Sequence, residues 1–201
     1  MDLIQIKKHL LHLVPLSDMA MTISLLNNLA CMLKDNWLKA TPEDADWQIK
    51  LETLFVFAAV WGFGGAFDIK DGINYRQQFN DWWKDEFRTV KFPSRNSIYE
   101  VWLNEEETEF IPWAQSPHFS EINFNSKTEQ MADVCVPTPE NCAVNVWMKM
   151  LVKRKVPVML VGPAGCGKTQ LVQGLLHNLN PEETLFSAIN MNFFTTSALL
   201  Q

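Results

Sequence analysis

The stretch VPVMLVGPAGCGKTQLVQGLL, residues Val156 to Leu176, decides how the second half of the chain is predicted to fold. Its centre, Gly162 to Thr169, fits the pattern G-x-x-x-x-G-K-S/T of a phosphate-binding loop. Val156 to Val161 is a short apolar run rich in β-branched residues, which predicts a buried parallel strand. From Leu171 to Leu179 apolar residues recur at helical spacing. The motif requires this order of strand, glycine-rich loop and helix.

The residue types of the loop indicate the ligand that it would take. We expect the three glycines to turn the backbone with positive φ and to let it come close to a ligand. The loop N–H groups would then form an anion nest at a helix N-terminus, where the helix dipole favours negative charge. Lys168 is expected to reach the outer phosphates, and the Thr169 hydroxyl is expected to ligate Mg²⁺. The predicted binding residues are Gly162, Pro163, Ala164, Gly165, Cys166, Gly167, Lys168 and Thr169.

Two alternatives remain open at this point. The loop could be a glycine-rich turn between a strand and a helix that binds no ligand. Within it, the Cys166 side chain is expected to pack or to face solvent. The alternative for Cys166 is a thiol of low pKa, because it lies beside Lys168 and a helix N-terminus.

Composition sets the broad class of the protein. The chain has 201 residues, of which 47 % are hydrophobic, enough for a sizeable core. The net charge of −6 argues against a general nucleic-acid-binding surface, so we expect no nucleic-acid partner. The four cysteines form no C-x-x-C pair, which indicates free thiols in a reducing compartment. The longest apolar run, Leu54 to Ala66, is too short to cross a bilayer, so it predicts a buried helix and no membrane partner.

The first 92 residues are predicted to be mostly helical. Ser17 or Asp18 can cap a helix whose apolar face would carry Ile23, Leu26, Ala30 and Leu33. Thr41-Pro42 is a helix start, and the helix that follows is apolar almost all round and ends near the glycines at 62, 64 and 65. Asp71-Gly72 marks a turn, and aromatic residues at helical spacing predict a further helix from Tyr75 to Phe87.

The pattern changes after Pro93. Residues 98–103 and 109–113 predict a β-hairpin whose acidic turn is 104–108, and residues 114–133 predict a linker. Thr138-Pro139 starts a helix that ends in the basic run 153–155. A second strand is predicted for 185–193, and Thr195 to Ser197 can cap a last helix.

Several stretches together resemble one family. They are FVFAAVWGFGGAF, FNDWWKDEF, VKFPS, VPVMLVGPAGCGKT and NMNFFTTSALLQ. This arrangement is similar to a dynein heavy chain of the axonemal type, at the junction of its second and third AAA+ modules. The resemblance implies an α/β fold, a partial AAA+ P-loop NTPase, preceded by a mostly α-helical small domain with a β-hairpin. The implied domains are 1–92, the small helical part of the preceding module; 93–130, hairpin and linker; and 131–201, the start of the next P-loop domain.

The resemblance also implies function. The family is an ATP-driven microtubule motor built as a ring of AAA+ modules, so ATP or ADP and Mg²⁺ are the implied cofactors. The implied partners are the remaining modules, intermediate and light chains, and microtubules, in the cytoplasm, the cytoskeleton and the axoneme of a cilium or flagellum. Cys166 departs from the Thr or Ser usual at its position.

Hydrolysis in this family also needs a strand ending in Asp-Glu, a polar sensor and an arginine from a neighbouring module. The stretch after the loop offers no Asp-Glu strand, so we expect the chain to be a fragment with weak or no ATPase activity, and we assign no catalytic residue. Two other functions compete: a stand-alone small P-loop NTPase, and a non-catalytic nucleotide-binding or interaction module.

Overall fold

The computed structural model describes residues 12–33, 45–93, 95–104, 108–119, 136–182 and 184–199. The helices are α1 (Asp18–Met32), α2 (Ala45–Gly64), α3 (Tyr75–Glu86), α4 (Pro139–Lys153) and α5 (Lys168–His177). The strands are β1 (Ile69–Lys70), β2 (Ile73–Asn74), β3 (Val101–Asn104) and β4 (Glu109–Pro112), and short 3-10 turns span Trp113–Gln115 and Ser197–Leu199. Within these described ranges, no helix is both long and apolar enough to cross a membrane.

Helix α2 is the centre of the core. Leu54 and the run from Val56 to Val60 have no exposed surface, as the nearly all-round apolar pattern predicts. In the middle of α2, the ring of Phe57 lies 5.6 Å from that of Trp102 on β3 and 5.5 Å from that of Trp147 on α4, measured between ring centroids. The core therefore joins helices α2 and α4 and the β3–β4 hairpin.

Helix α1 packs against α2 through a different face from the predicted one. Ser17 caps α1 as expected, since its hydroxyl oxygen accepts the Ala20 N–H at 3.1 Å. The buried residues, however, are Met21, Leu25, Asn28 and Met32, while Ile23 and Leu26 are 48 % and 58 % exposed. The prediction of the apolar face was wrong because α1 carries apolar residues on more than one side.

A glycine in α2 fixes which side of α1 is buried. A Cβ on Gly62 would lie 2.8 Å from the Leu25 Cα, so the two backbones approach more closely than any other residue allows. On the same interface, the Asn28 side-chain amide donates to the Ala58 carbonyl at 3.3 Å. Close backbone approach and one buried hydrogen bond together select the Leu25 side of the helix.

The predicted turn at Asp71-Gly72 connects two short antiparallel strands, β1 and β2. The sequence pattern did not predict these strands. Both turn residues have positive φ, 53° and 78°, a combination that suits a tight hairpin turn. Asn74 then caps α3, since its side-chain oxygen accepts the Gln77 N–H at 2.9 Å. The helix buries Phe79 and Trp83, so the aromatic residues predicted for it belong to the core.

The predicted β-hairpin is present. Strands β3 and β4 pair antiparallel, with Trp102 opposite Ile111 and Leu103 opposite Phe110. After β4, the Trp113 indole N–H donates to the Tyr99 carbonyl at 3.0 Å and its ring is fully buried. The middle of the predicted turn, 105–107, and most of the predicted linker, 120–133, lie outside the described residues, as does the helix start at Thr41-Pro42.

Helix α4 begins and ends as its sequence predicts. The Thr138 hydroxyl oxygen accepts the Asn141 N–H at 3.2 Å, and Pro139 occupies the first turn. At the other end, the Val156 N–H donates to the Leu151 carbonyl and the Lys155 N–H to the Val152 carbonyl. These two bonds form a Schellman motif, which normally places glycine in the left-handed position that Lys155 occupies here at φ 59°.

Neither strand predicted for the second half is paired. Among the described residues, strands occur in two antiparallel pairs, β1–β2 and β3–β4, and neither includes 156–161 or 185–193. Both stretches are largely exposed: Met159 is 80 % exposed, and Leu185 and Phe193 are each 96 % exposed. Those predictions were wrong for this structure because a strand requires a hydrogen-bonded neighbour, and neither stretch meets one here.

The close approach at Gly62 can be tested by substitution. Gly62→Ala should lower the free energy of unfolding by about 1–3 kcal/mol, because α1 must move away from α2 to admit the methyl group. Gly174→Ala in α5 is the matched control, since a Cβ added there would have no atom within 4 Å. That change should raise stability by about 0.5–1 kcal/mol. Urea titrations followed by far-UV circular dichroism measure both, and equal effects would contradict the packing described.

The strained end of α4 gives a second test. Lys155→Gly should raise the free energy of unfolding by about 0.5–1 kcal/mol, because relief of the left-handed strain outweighs the added entropy of the unfolded chain. Lys155→Ala removes the same charge and keeps the strain, so it should show no gain. Thermal unfolding of both variants measures the difference. Equal stabilisation by Gly and Ala would assign the effect to charge instead.

Candidate nucleotide-binding loop

The stretch 154–161 and the loop together connect the end of α4 to the start of α5. The Schellman motif at Leu151 to Val156 directs the chain out of α4, and α5 begins at Lys168 with Gly167 as its N-cap. Gly165 and Gly167 have positive φ, 80° and 85°, and a Cβ added to either one would have no atom within 4 Å. Because Gly167 has no capping side chain, no such group competes for the N–H groups of the first turn of α5.

Gly162 serves a different purpose from the predicted one. Positive φ occurs at Gly72, Gly165 and Gly167 among the described glycines, so the expected positive φ at Gly162 was wrong. A Cβ at this position would instead lie 2.9 Å from the Cys166 sulfur. Gly162 therefore leaves the space that the Cys166 sulfur occupies here, and the positive-φ conformations of the loop lie at the other two glycines.

The Lys168 side chain lies over its own loop. Its ammonium donates to the Gly162 carbonyl at 2.8 Å, to the Pro163 carbonyl at 2.6 Å and to the Cys166 sulfur at 3.4 Å. The positive charge is thus held beside the positive-φ glycines and the N-terminus of α5. This arrangement concentrates positive potential in one place, which suits an anion with several oxygens.

The remaining predicted residues are accessible. Pro163, Ala164, Gly165, Cys166 and Gly167 are exposed, as is Thr169 in the first turn of α5. A hydroxyl oxygen is a ligand type that Mg²⁺ accepts, so Thr169 fits the predicted metal contact by its chemistry and exposure. Its role as a magnesium ligand stays a prediction.

A cavity of about 470 Å³ lies between the start of the loop and the helical half of the structure, by which we mean the described residues between 12 and 119. Gly162, Pro163 and Cys166 line one side, and Asp68 and Arg76 are on the other. The Arg76 guanidinium carbon lies 3.9 Å from the centre of the Tyr99 ring, which helps hold this cation in place. Sequence reasoning missed Arg76, because nothing in the local pattern of α3 links it to a loop more than 80 residues away.

The accessibility of the cysteines can be tested by alkylation. Burial raises the pKa of Cys142, an effect that the Ser116 hydroxyl and the Lys149 charge oppose, and burial likewise raises the pKa of Cys31. Iodoacetamide at neutral pH should therefore modify Cys166 before Cys31 and Cys142, the other two cysteines that the structure describes, and Cys142 should react only at more alkaline pH or after unfolding. Peptide mapping by mass spectrometry distinguishes the sites, with Cys166→Ser as the control. Equal rates at Cys142 and Cys166 would contradict the burial described.

Comparison with protein families gives matches along almost the whole chain. A family model described as "Dynein heavy chain AAA lid domain" matches residues 2–115. A second, described as "P-loop containing dynein motor region", matches residues 123–201 and therefore contains the loop.

Curated relatives give the same result. The chain is 37% identical over 193 residues to "Dynein alpha chain, flagellar outer arm" of Chlamydomonas reinhardtii, and this match covers 96% of the chain. It is 37% identical over 190 residues to "Dynein axonemal heavy chain 9" of Homo sapiens, and 34% identical over 189 residues to "Dynein beta chain, ciliary" of Tripneustes gratilla, each covering 94% of this chain. The chain spans about 4% of the length of each of these relatives.

Proposed function

Because this chain belongs to the dynein heavy chain family, we propose that it forms the junction of the second and third AAA+ modules in the motor ring of an axonemal dynein. In this proposal residues 1–92 are the small helical part of one module, 93–130 are hairpin and linker, and 131–201 begin the next module. The order of the two family matches, lid domain first and P-loop region second, supports the assignment.

The proposed activity of the chain itself is binding of ATP or ADP through the loop Gly162 to Thr169. The observation that carries this proposal is the position of the Lys168 ammonium, which lies over the loop beside the N-terminus of α5. The backbone N–H groups of the loop and of the first helical turn would hold the phosphate oxygens. Lys168 would neutralise the outer phosphates, and Thr169 would hold Mg²⁺, which would supply further charge neutralisation.

The wider role follows from the family. We assign the chain to a motor that couples ATP hydrolysis to movement along microtubules, together with the other AAA+ modules and the intermediate and light chains. The relatives carry the words flagellar, axonemal and ciliary in their names, which supports action in the axoneme of a cilium or flagellum. The proposal also places the protein in the cytoplasm and cytoskeleton.

A second candidate is a module that binds nucleotide without hydrolysing it. In that case Lys168 and the loop would hold the phosphates, and no residue of this chain is assigned a catalytic role. A phosphate-release assay on the 201-residue chain separates the two. Turnover that Lys168→Ala abolishes would favour a hydrolytic site, and binding without turnover would favour the second candidate.

Nucleotide binding is tested by titration of the chain with ATP, with and without Mg²⁺. Lys168→Ala should weaken ATP binding by about ten- to 150-fold, because it removes a charge-assisted interaction of about 1.5–3 kcal/mol. Lys70→Ala is the matched control: it removes the same charge from the exposed strand β1 and should leave the affinity unchanged. Circular dichroism verifies that each variant is folded. Equal losses in both variants, or none in Lys168→Ala, would contradict the assigned site.

A further inference from the structure

A cleft separates the stretch 158–162 from the helical half of the structure. Its larger part is the cavity of about 470 Å³ beside Arg76, and a second cavity of about 310 Å³ lies next to it. Both volumes fall within the range of about 300–1,000 Å³ that is usual for small-molecule sites. The two cavities adjoin, because they share six lining residues: Leu16, Gly65, Ala66, Val144, Met159 and Leu160.

The walls of the cleft are mostly apolar and are left partly in contact with water. In the larger cavity, Leu13 and Val161 are each 43 % exposed and Met159 is 80 % exposed. Covering apolar surface at a concave site is favourable, since it removes that surface from water. The cleft therefore suits the apolar body of a small molecule.

Arg76 supplies a positive charge at one end of the cleft. Its side chain is partly buried, and its guanidinium is held against the Tyr99 ring. No residue that the structure describes forms a hydrogen bond or an ion pair with this guanidinium, so its N–H groups are free to bind a ligand. Asp68 also lines the cavity, but its side chain is exposed, and solvent and salt screen an exposed charge more strongly than a partly buried one.

The cleft lies beside the candidate nucleotide loop and does not coincide with its phosphate-binding end. Of the loop residues, Gly162, Pro163 and Cys166 line the larger cavity, whereas Lys168 and Thr169 do not. A ligand in the cleft would therefore contact the start of the loop and would leave the proposed phosphate and magnesium contacts unoccupied.

We propose that this cleft binds a small amphipathic carboxylate, of the class of a medium-chain fatty acid. The carboxylate would accept hydrogen bonds from the Arg76 guanidinium, whose planar fork matches it in geometry and charge. The hydrocarbon chain would cover Leu13, Met159 and Val161. A small inorganic anion would leave these apolar walls exposed, and an uncharged hydrocarbon would leave the guanidinium without an acceptor.

The first experiment tests the apolar part of the site. The 201-residue chain is titrated with octanoate and with decanoate below the concentrations at which they form micelles, and binding is followed by saturation-transfer NMR. Decanoate should bind about tenfold more tightly than octanoate, because each buried CH₂ group strengthens binding by about three- to fourfold. Equal affinities for the two acids would overturn the placement of the chain in the cleft.

The second experiment tests the charged contact with two ligands that differ in the head group. Arg76→Gln should weaken decanoate binding by about five- to tenfold, because it removes a charge-assisted hydrogen bond, and it should leave the affinity for 1-decanol unchanged. Arg88→Gln is the matched control, since it removes the same charge from a side chain that is 79 % exposed and does not line the cleft. It should leave both affinities unchanged. Circular dichroism verifies that each variant is folded.

The outcomes separate a ligand contact from a structural role of Arg76. A loss confined to decanoate and to Arg76→Gln supports the proposal. Equal losses for decanoate and 1-decanol in Arg76→Gln would show that the change alters the cleft itself, and equal losses in Arg88→Gln would show a general effect of charge; either result overturns the assigned contact. Absence of saturable decanoate binding to the wild-type chain overturns the site. None of these results bears on the nucleotide loop, which the ATP titration tests separately.

Discussion

The Phe57 ring, buried between Trp102 and Trp147, is the contact on which the described architecture depends. Phe57 belongs to α2, Trp102 to β3 and Trp147 to α4, so one aromatic side chain connects three elements that are distant in sequence. Aromatic side chains bury large areas and prefer the tilted and edge-on geometries seen here. Because α4 is followed by the stretch 154–161 that leads into the loop, this cluster also anchors the helix from which the chain runs to the candidate site.

The loop itself depends on backbone geometry and charge more than on burial. Gly165 and Gly167 supply the left-handed conformations, and the carbonyls of Gly162 and Pro163 hold the lysine ammonium. None of these features requires a paired sheet around the loop. The loop can therefore have this geometry although the preceding stretch, 156–161, is largely exposed.

The two halves of the chain differ in how their apolar residues are used. In the helical half nearly every apolar residue of α2 between 54 and 60 is buried, and the aromatic residues of α3 and the hairpin share the same core. In the second half, Met159, Leu185 and Phe193 remain highly exposed. An apolar side chain favours burial, but it is buried only where another surface is available for it to pack against.

The sequence by itself determined the features that depend on neighbours along the chain. The caps at Ser17 and Thr138, the turn at Asp71-Gly72, the β3–β4 hairpin and the glycine-lysine loop all depend on residues a few positions apart, whose local hydrogen bonds and φ preferences fix them. The resemblance to dynein heavy chains was likewise available from the sequence, and the family comparisons support it.

Only the tertiary structure decided the features that depend on distant partners. It selected the Leu25 side of α1, because Gly62 of α2 lets the two backbones approach there. It brought Arg76 to the cavity beside the loop, and it left the stretches 156–161 and 185–193 unpaired. It also gave Gly162 its steric role beside Cys166. Which face of a helix is buried, which stretches pair as strands and where a cavity forms all depend on the surfaces that meet in space. The periodicity of a sequence pattern does not say which surfaces those are.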